Sequence, residues 1–322
     1  MSWSLYRWTW LLESPLYVGY IPAGSLNRCR QYISARAFMS ALVAELARRT
    51  STDYPNYQDV YNFVKEYARF TYLFPAEQEG GKWYAWLPYF EFREGLVWRR
   101  EDSNFHKDCT DNTKCMTDRV MHMRLISTRP STAIDPLSDT ADEATLRETE
   151  CINIYWCNQH KHSISHDANC TQEQVSQSRV SDENKRPTSP VALVGYVFIK
   201  DHLPNIEKID FLTIGGDTRY GLGRLRRIEY NRTDKGEMFI FPVNLNDSYP
   251  QIESFLLLGH GNAPNSNNMV GQLEKLVGWN YEKGLISYPL FWIPGSRFDN
   301  KSMSIWQIDA DGHWINSLKH TS

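Results

Sequence analysis

No run of about 18 apolar residues occurs in the 322-residue chain, so no membrane-spanning helix is expected. Cysteine is sparse: six residues do not make a secreted disulfide framework. The amino end, MSWSLYRWTWLLESPLYVG, has no basic region leading into a clean apolar stretch, because Arg7, Glu13 and Pro15 break it. These absences point to a cytoplasmic protein. Positive charge is not in excess either. Thirty-five Lys and Arg against 38 Asp and Glu leave a net charge of −3. Any contact with nucleic acid must therefore come from a local patch.

Aromatic residues are plentiful, with 11 Trp, 18 Tyr and 14 Phe, and they serve equally as core, stacking platforms and interface anchors. A 41% hydrophobic and 23% charged composition suits a soluble globular chain of one large or two small domains.

The stretch Leu5 to Leu12 reads as an aromatic strand. A polar, turn-rich link, YIPAGSLNRCRQYIS, follows Gly19. Ser34 is a fitting N-cap for ARAFMSALVAELARR, where Phe38, Ala41, Leu42 and Leu46 recur at helical spacing. Arg48 and Arg49 suit the carboxyl end of that helix. A second helix is predicted over Tyr57–Leu73. KWYAWLPYFEF and EGLVWRR read as strands joined near Arg93–Gly95.

Between Glu101 and Pro190 the texture turns polar. VMHMRLIS and LRETECINIYW are the ordered islands, expected to pair as a hairpin around TRPSTAIDPLSDTADEA. From His160 to Pro190 apolar residues nearly vanish, which predicts a mobile insertion. VALVGYVFIK then reads as a buried strand. LPNIEKIDFLTIGG is predicted as a helix stopped by Gly215. RLRRIEY and EMFIFPV are predicted as a hairpin, and Gln251–Leu258 as a short helix. The tail ends in aromatic strand-like pieces around Trp306 and Trp314. This order predicts an α+β chain with a ferredoxin-like (RRM-like) core of one or two modules and a thumb-like insertion. The organisation is 1–100 for an amino-terminal part, 101–190 for the insertion, and 191–322 for the rest of the core.

The sharpest local signal is IGGDTRYGLGRLRRIE, residues 214–229, with Gly215, Gly216, Gly221 and Gly223. As a nucleotide-hydrolysing loop it fails, because Leu222 and Gly223 occupy the Lys and hydroxyl positions after Gly221. As a dinucleotide fingerprint it fails too, since Arg226 takes the last glycine's place and no helix follows. Two readings stay open. One is a plain helix-to-strand turn with solvated arginines. The other is an RNA-backbone cradle: amides at Gly215, Gly216, Gly221 and Gly223, Thr218 and the cations Arg219, Arg224, Arg226 and Arg227 face phosphates, and Tyr220 stacks on a base.

Taken in order, SPLYVGYIPAGS with YISARAFMSALVAELAR, then STAIDPLSDTADEATLRETE, then this glycine loop, then GQLEKLVGW and WIPGS, resemble the RAMP (repeat-associated mysterious protein) superfamily of type III CRISPR effector subunits, with III-D-like pieces at the carboxyl end. The resemblance covers most of the chain outside 101–120 and 158–190. It implies a RAMP fold, a guide RNA (crRNA) as ligand, and two kinds of protein partner: a large polymerase-like subunit and backbone RAMP subunits. It also places RNA contacts at the first-helix entry, on Arg28, Arg30, Ser34 and Arg36.

Target-cutting family members use an Asp between the first strand and first helix, and residues 14–33 contain none. No His precedes His106, where guide-processing members place one. The resemblance therefore narrows to the non-catalytic capping subunit that clamps the guide's 5′ handle. The alternative is an endoribonuclease or backbone subunit using Asp135, Asp217 or His260. No cofactor is expected. Cys109 and Cys115, and Cys151 and Cys157, each stand with five residues between them, looser than usual structural zinc pairs. They are weak zinc candidates beside Cys170, His106, His160, His162 and His166. Reduced, unliganded thiols are the competing expectation.

Overall fold

The computed structural model describes residues 3–50, 54–109, 111, 113–143, 145–157, 189–200, 205–233, 236–262, 268–280 and 284–316. The expected mobile insertion up to residue 188, with Cys170 and three of the histidines, lies outside these residues.

The chain opens with β1 (Trp3–Leu12), whose alternate aromatics face a helical layer. A hairpin of β2 (Gly19–Ala23) and β3 (Leu26–Cys29) occupies the stretch expected to be a link. Helix α1 (Ala35–Thr50) begins at Ser34, whose Oγ accepts from the Ala37 amide at 3.4 Å. It buries Phe38, Met39, Leu42, Val43 and Leu46. Trp8, Trp10 and Phe70 meet Phe38 with ring centroids 5.5–5.7 Å apart, edge to face. Helix α2 (Tyr57–Tyr67), capped by Asn56, stops six residues short of Leu73. From Ala68 the residues are continuously buried, and they pair as β4 (Ala68–Phe70) and β5 (Phe74–Glu79). Sheet pairing of a continuously buried run, with Arg69 and Thr71 among its apolar residues, outweighs helical propensity there.

The expected hairpin follows as β6 (Lys82–Glu91) and β7 (Gly95–Arg100). Next come β8 (Cys115–Thr117), α3 (Asp118–Leu125) and β9 (Ile126–Ser131), so VMHMRLIS is helical in all but its last two residues. The thumb-like excursion carries the small pair β10 (Ile134–Asp135) and β11 (Thr140–Ala141), and returns as β12 (Arg147–Ile152). β12 pairs with β9 in the expected hairpin and lies parallel to β3, giving a small sheet β2-β3-β12-β9.

β13 (Ala192–Lys200) is buried along almost its whole length between β1 and β4/β5, antiparallel to both. β14 (Phe211–Thr213) and β15 (Arg224–Arg232) complete the sheet, with β15 antiparallel to β1. The central order β15-β1-β13-β4/β5, with α1 and α2 between β1 and β4, is the fourth-first-third-second order of a ferredoxin-like fold. The second crossover is a departure. Residues 205–216 were expected to be helical, but only Ile206–Lys208 form a 3₁₀ turn, after Asn205 in a left-handed conformation. Phe211, Leu212 and Thr213 pair with β15 instead, because an apolar and β-branched triplet gains more on a sheet edge than in a short exposed helix.

Beyond Thr233 the described residues form strands and connecting turns, with no helix among them. Phe241–Asn244 forms a tight hairpin with Glu237–Met238 rather than pairing with β15. Gln251–Ser254, expected as helix, is a strand leading into the wholly buried Phe255–Leu258. These strands belong to an eight-stranded sheet that ends in the long hairpin Leu273–Asn280 and Gly284–Trp292. One buried core runs through both sheets, from Trp3 to Trp314.

Candidate nucleic-acid interface

The glycine-rich stretch is the loop of a β-hairpin between β14 and β15, not a helix-to-strand turn. Its amides are largely committed. Gly216 N–H donates to the Tyr17 carbonyl at 2.9 Å, and Gly223 N–H to the Pro15 carbonyl at 2.8 Å. Tyr220 N–H and Gly221 N–H donate back to Asp217 and Thr218. Glycine is required at Gly223 by conformation (φ +77°) and by crowding, since a Cβ would lie 1.8 Å from the Ile214 carbonyl oxygen. The loop thus docks on the 14–18 segment, and its surface is presented by side chains.

Those side chains divide. Arg219 and Tyr220 are exposed, Tyr220 at 80%, and Arg219 has no ion-pair partner among the described residues. Arg224 and Arg226 both close on Glu13, at 3.0 and 2.7 Å. Arg227 donates to the carbonyls of Ile206 and Glu207 and lies over Tyr230, and burial lowers its pKa. Asp217, left-handed at φ +55°, takes Arg147 of β12 at 2.8 Å.

That last pairing brings in residues that local pattern did not single out. Thr149 is the register partner of Arg129, and Arg147 lies two residues before Thr149 on β12, so the two arginines share one face of the β9–β12 hairpin. Arg129 is exposed and has no ion-pair partner among the described residues. Nothing in residues 126–152 alone marks these arginines, because their neighbourhood with Asp217 spans about 70 positions. Tyr17 lies beneath, its hydroxyl pKa raised by burial and by nearby Cys29 and Asp217.

The first-helix entry resolves differently. Arg28, on β3, is exposed. Ser34 caps α1. Arg30 bonds Glu274 and Tyr32 (3.0 and 3.2 Å) and stacks over Tyr20. Arg36 pairs with Asp311 at 3.1 Å and reaches the Tyr288 hydroxyl. Both arginines tie α1 and its entry to the carboxyl-terminal sheet. Arg30 extends this tie inward: Glu274 also meets His260 Nε2 at 3.0 Å, and His260 Nδ1 lies 2.7 Å from the Tyr72 hydroxyl. Burial alone would raise the Glu274 pKa, but His260 and Arg30 hold it at about 2. Burial lowers that of His260.

The candidate catalysts are occupied. His260 is 1% exposed. Asp135 sits in the thumb turn accepting from Ser138 Oγ and Leu137 N–H, which lower its pKa. Asp217 holds Arg147. Cys109 and Cys115 are joined as a disulfide, correcting both the zinc and the reduced-thiol expectations for that pair. Cys151 is buried in β12 and Cys157 is exposed. No cluster of three metal-ligating side chains occurs among the described residues. No helix among them is long and apolar enough to cross a membrane.

No family model matches this chain, and no curated protein matches it. Solved structures do. A chain of the Type III-B Cmr-beta complex bound to cognate target RNA and AMPPnP superposes with a TM-score of 0.51 at 11% identity, covering 91% of this chain and 85% of that one. A chain of the same complex bound to cognate target RNA gives 0.47 at 13% identity, covering 91% and 86%. The first likeness is one of fold: an α+β, sheet-dominated architecture shared along nearly the whole length.

Proposed function

We propose that this chain is a non-catalytic, guide-RNA-binding subunit of a type III CRISPR ribonucleoprotein, clamping the 5′ handle of the guide and docking neighbouring subunits. The observation that carries the reading is the meeting of the β14–β15 loop with the β9–β12 hairpin. It ties Asp217, two and three residues before the exposed Arg219 and Tyr220, to Arg147, whose strand face also carries the exposed Arg129. Cations of that kind hold phosphates, and an exposed tyrosine offers a stacking face to an unpaired base. The shared fold with a Cmr-beta chain supports the assembly part of the reading. The non-catalytic part is supported by the lack of Asp in residues 14–33 and by the structural partners of Asp135, Asp217 and His260.

The test is photo-crosslinking of the assembled complex followed by peptide mapping. Guide adducts are expected on peptides spanning 128–149 and 214–227. Adducts on every subunit except this one would overturn the RNA-binding reading. Loss of target cleavage on Asp135→Ala or Asp217→Ala, with assembly intact, would overturn the non-catalytic one.

A further inference from the structure

An open cleft of about 530 Å³, lined in part by Arg224 at the end of the glycine-rich loop, is not used by the proposal above. It forms where three segments converge: the end of β1, the crossing segment 153–157, and the start of β15. Val191 N–H donates to the Ile154 carbonyl, Tyr155 bridges to Pro190, and Glu13 N–H donates to the Arg224 carbonyl at 2.9 Å. These bonds fix the walls. Leu11, Ile154 and Pro190 give the cleft apolar sides, the half-exposed Tyr155 gives it an aromatic face, and Glu13 and Arg224 are its charged groups.

The charged pair has a definite chemistry. Glu13 Oε1 accepts from Arg226 Nε at 2.7 Å, while Oε2 forms an ion pair with Arg224, 3.0 Å from its Nε. Carboxylate oxygens beside two guanidinium groups present hydrogen-bond acceptors to a ligand. Each oxygen keeps lone-pair capacity for one more donor. The complementary ligand is flat, apolar on its faces, and carries two adjacent N–H donors on one edge. Guanine presents N1–H and N2–H in that arrangement. Cytosine and adenine offer one amino group flanked by an acceptor, and uracil offers one N–H between two carbonyls that a carboxylate repels.

We infer that this cleft is a base-reading pocket for a guanine nucleotide of the bound RNA, with Glu13 accepting from its Watson–Crick edge and Tyr155 stacking on its face. The inference rests on the RNA-binding reading. It adds sequence discrimination to a surface whose other contacts go to phosphate.

The experiment measures binding of the purified full chain to short fluorescent oligouridines that carry a central guanosine, inosine, adenosine or uridine. The guanosine oligomer is expected to bind about tenfold tighter than the uridine one, in line with a bidentate base contact. Inosine, which lacks the N2 amino group, should lose most of that advantage in the wild-type chain, a comparison that needs no variant. Glu13→Gln should abolish the guanosine-to-uridine ratio. Excess GMP should displace the guanosine oligomer and excess AMP should not, which tells free nucleotide from strand-borne base by their relative affinities. Equal affinity for all four oligomers, with ordinary salt-dependent binding, overturns the pocket and leaves the RNA-binding reading standing. No binding to any of them overturns both.

Discussion

The Gly216 amide donates to the Tyr17 carbonyl at 2.9 Å, so the loop that looks built to offer backbone N–H groups to phosphate spends one of them on its own scaffold. Gly223 does the same with Pro15. The loop's contribution to any RNA contact then comes from Arg219 and Tyr220, and Gly216 and Gly223 serve docking. This separation of roles yields distinct outcomes for substitutions only a few residues apart.

Gly223→Ala forces a side chain into the Ile214 carbonyl at a positive φ. A loss of roughly 3 kcal/mol in urea unfolding is expected, combining the left-handed penalty with steric overlap. Gly221→Ala is the internal comparison. It shares a positive φ of +83° but meets nothing within 4 Å, so about 1 kcal/mol is expected. Equal losses at the two sites would refute the docking role of Gly223.

Arg219→Ala and Arg129→Ala should each weaken RNA binding and flatten its salt dependence, by about 0.7 in slope for each phosphate of a single strand that is no longer neutralised. Arg30→Ala should leave the slope unchanged. Its guanidinium faces Glu274, and removing it leaves a largely buried carboxylate short of a cation, with about 2 kcal/mol of stability expected to go. Fluorescence anisotropy across a salt series, paired with denaturation, reads both quantities.

The His260–Glu274 pair makes the seam between α1's entry and the carboxyl-terminal sheet acid-sensitive. The Glu274 pKa falls from its ordinary 4.5 to about 2 on folding, so its stabilisation is complete above 4.5 and is lost as pH falls toward 2. His260 is also lowered from 6.5, so it withdraws stability as pH drops below that value. Both act in one direction. Stability measured from pH 7 to pH 3 should fall throughout, and Glu274→Gln should remove the component below pH 4.5.

Under non-reducing alkylation, Cys157 should label readily while Cys109 and Cys115 do not, because only the latter two are bonded to each other. Reduction should expose both together and lower stability by about 2 kcal/mol. Labelling of Cys109 without reductant would show the pair to be open.

Several elements set by neighbouring residues were legible in the sequence, though the β2–β3 hairpin and α3 were not. Ser34 and the Phe38–Leu46 spacing define α1, and the KWYAWLPYFEF–EGLVWRR alternation defines a hairpin. The β9–β12 pairing and the missing Asp of residues 14–33 were legible for the same reason. Tertiary structure decided the rest. Residues 211–213 chose a sheet edge over a helix because β15 was there to pair with. Gln251–Leu258 became a strand and a buried run because packing partners surround it. Arg30 and Arg36 read as RNA-facing cations until folding brought Glu274 and Asp311 to them. Arg129 and Arg147 gained interest only when the loop arrived beside them. Charge and glycine content are local properties, but whether a cation is free or an amide is available depends on groups tens to hundreds of residues away, and only the folded chain brings those together.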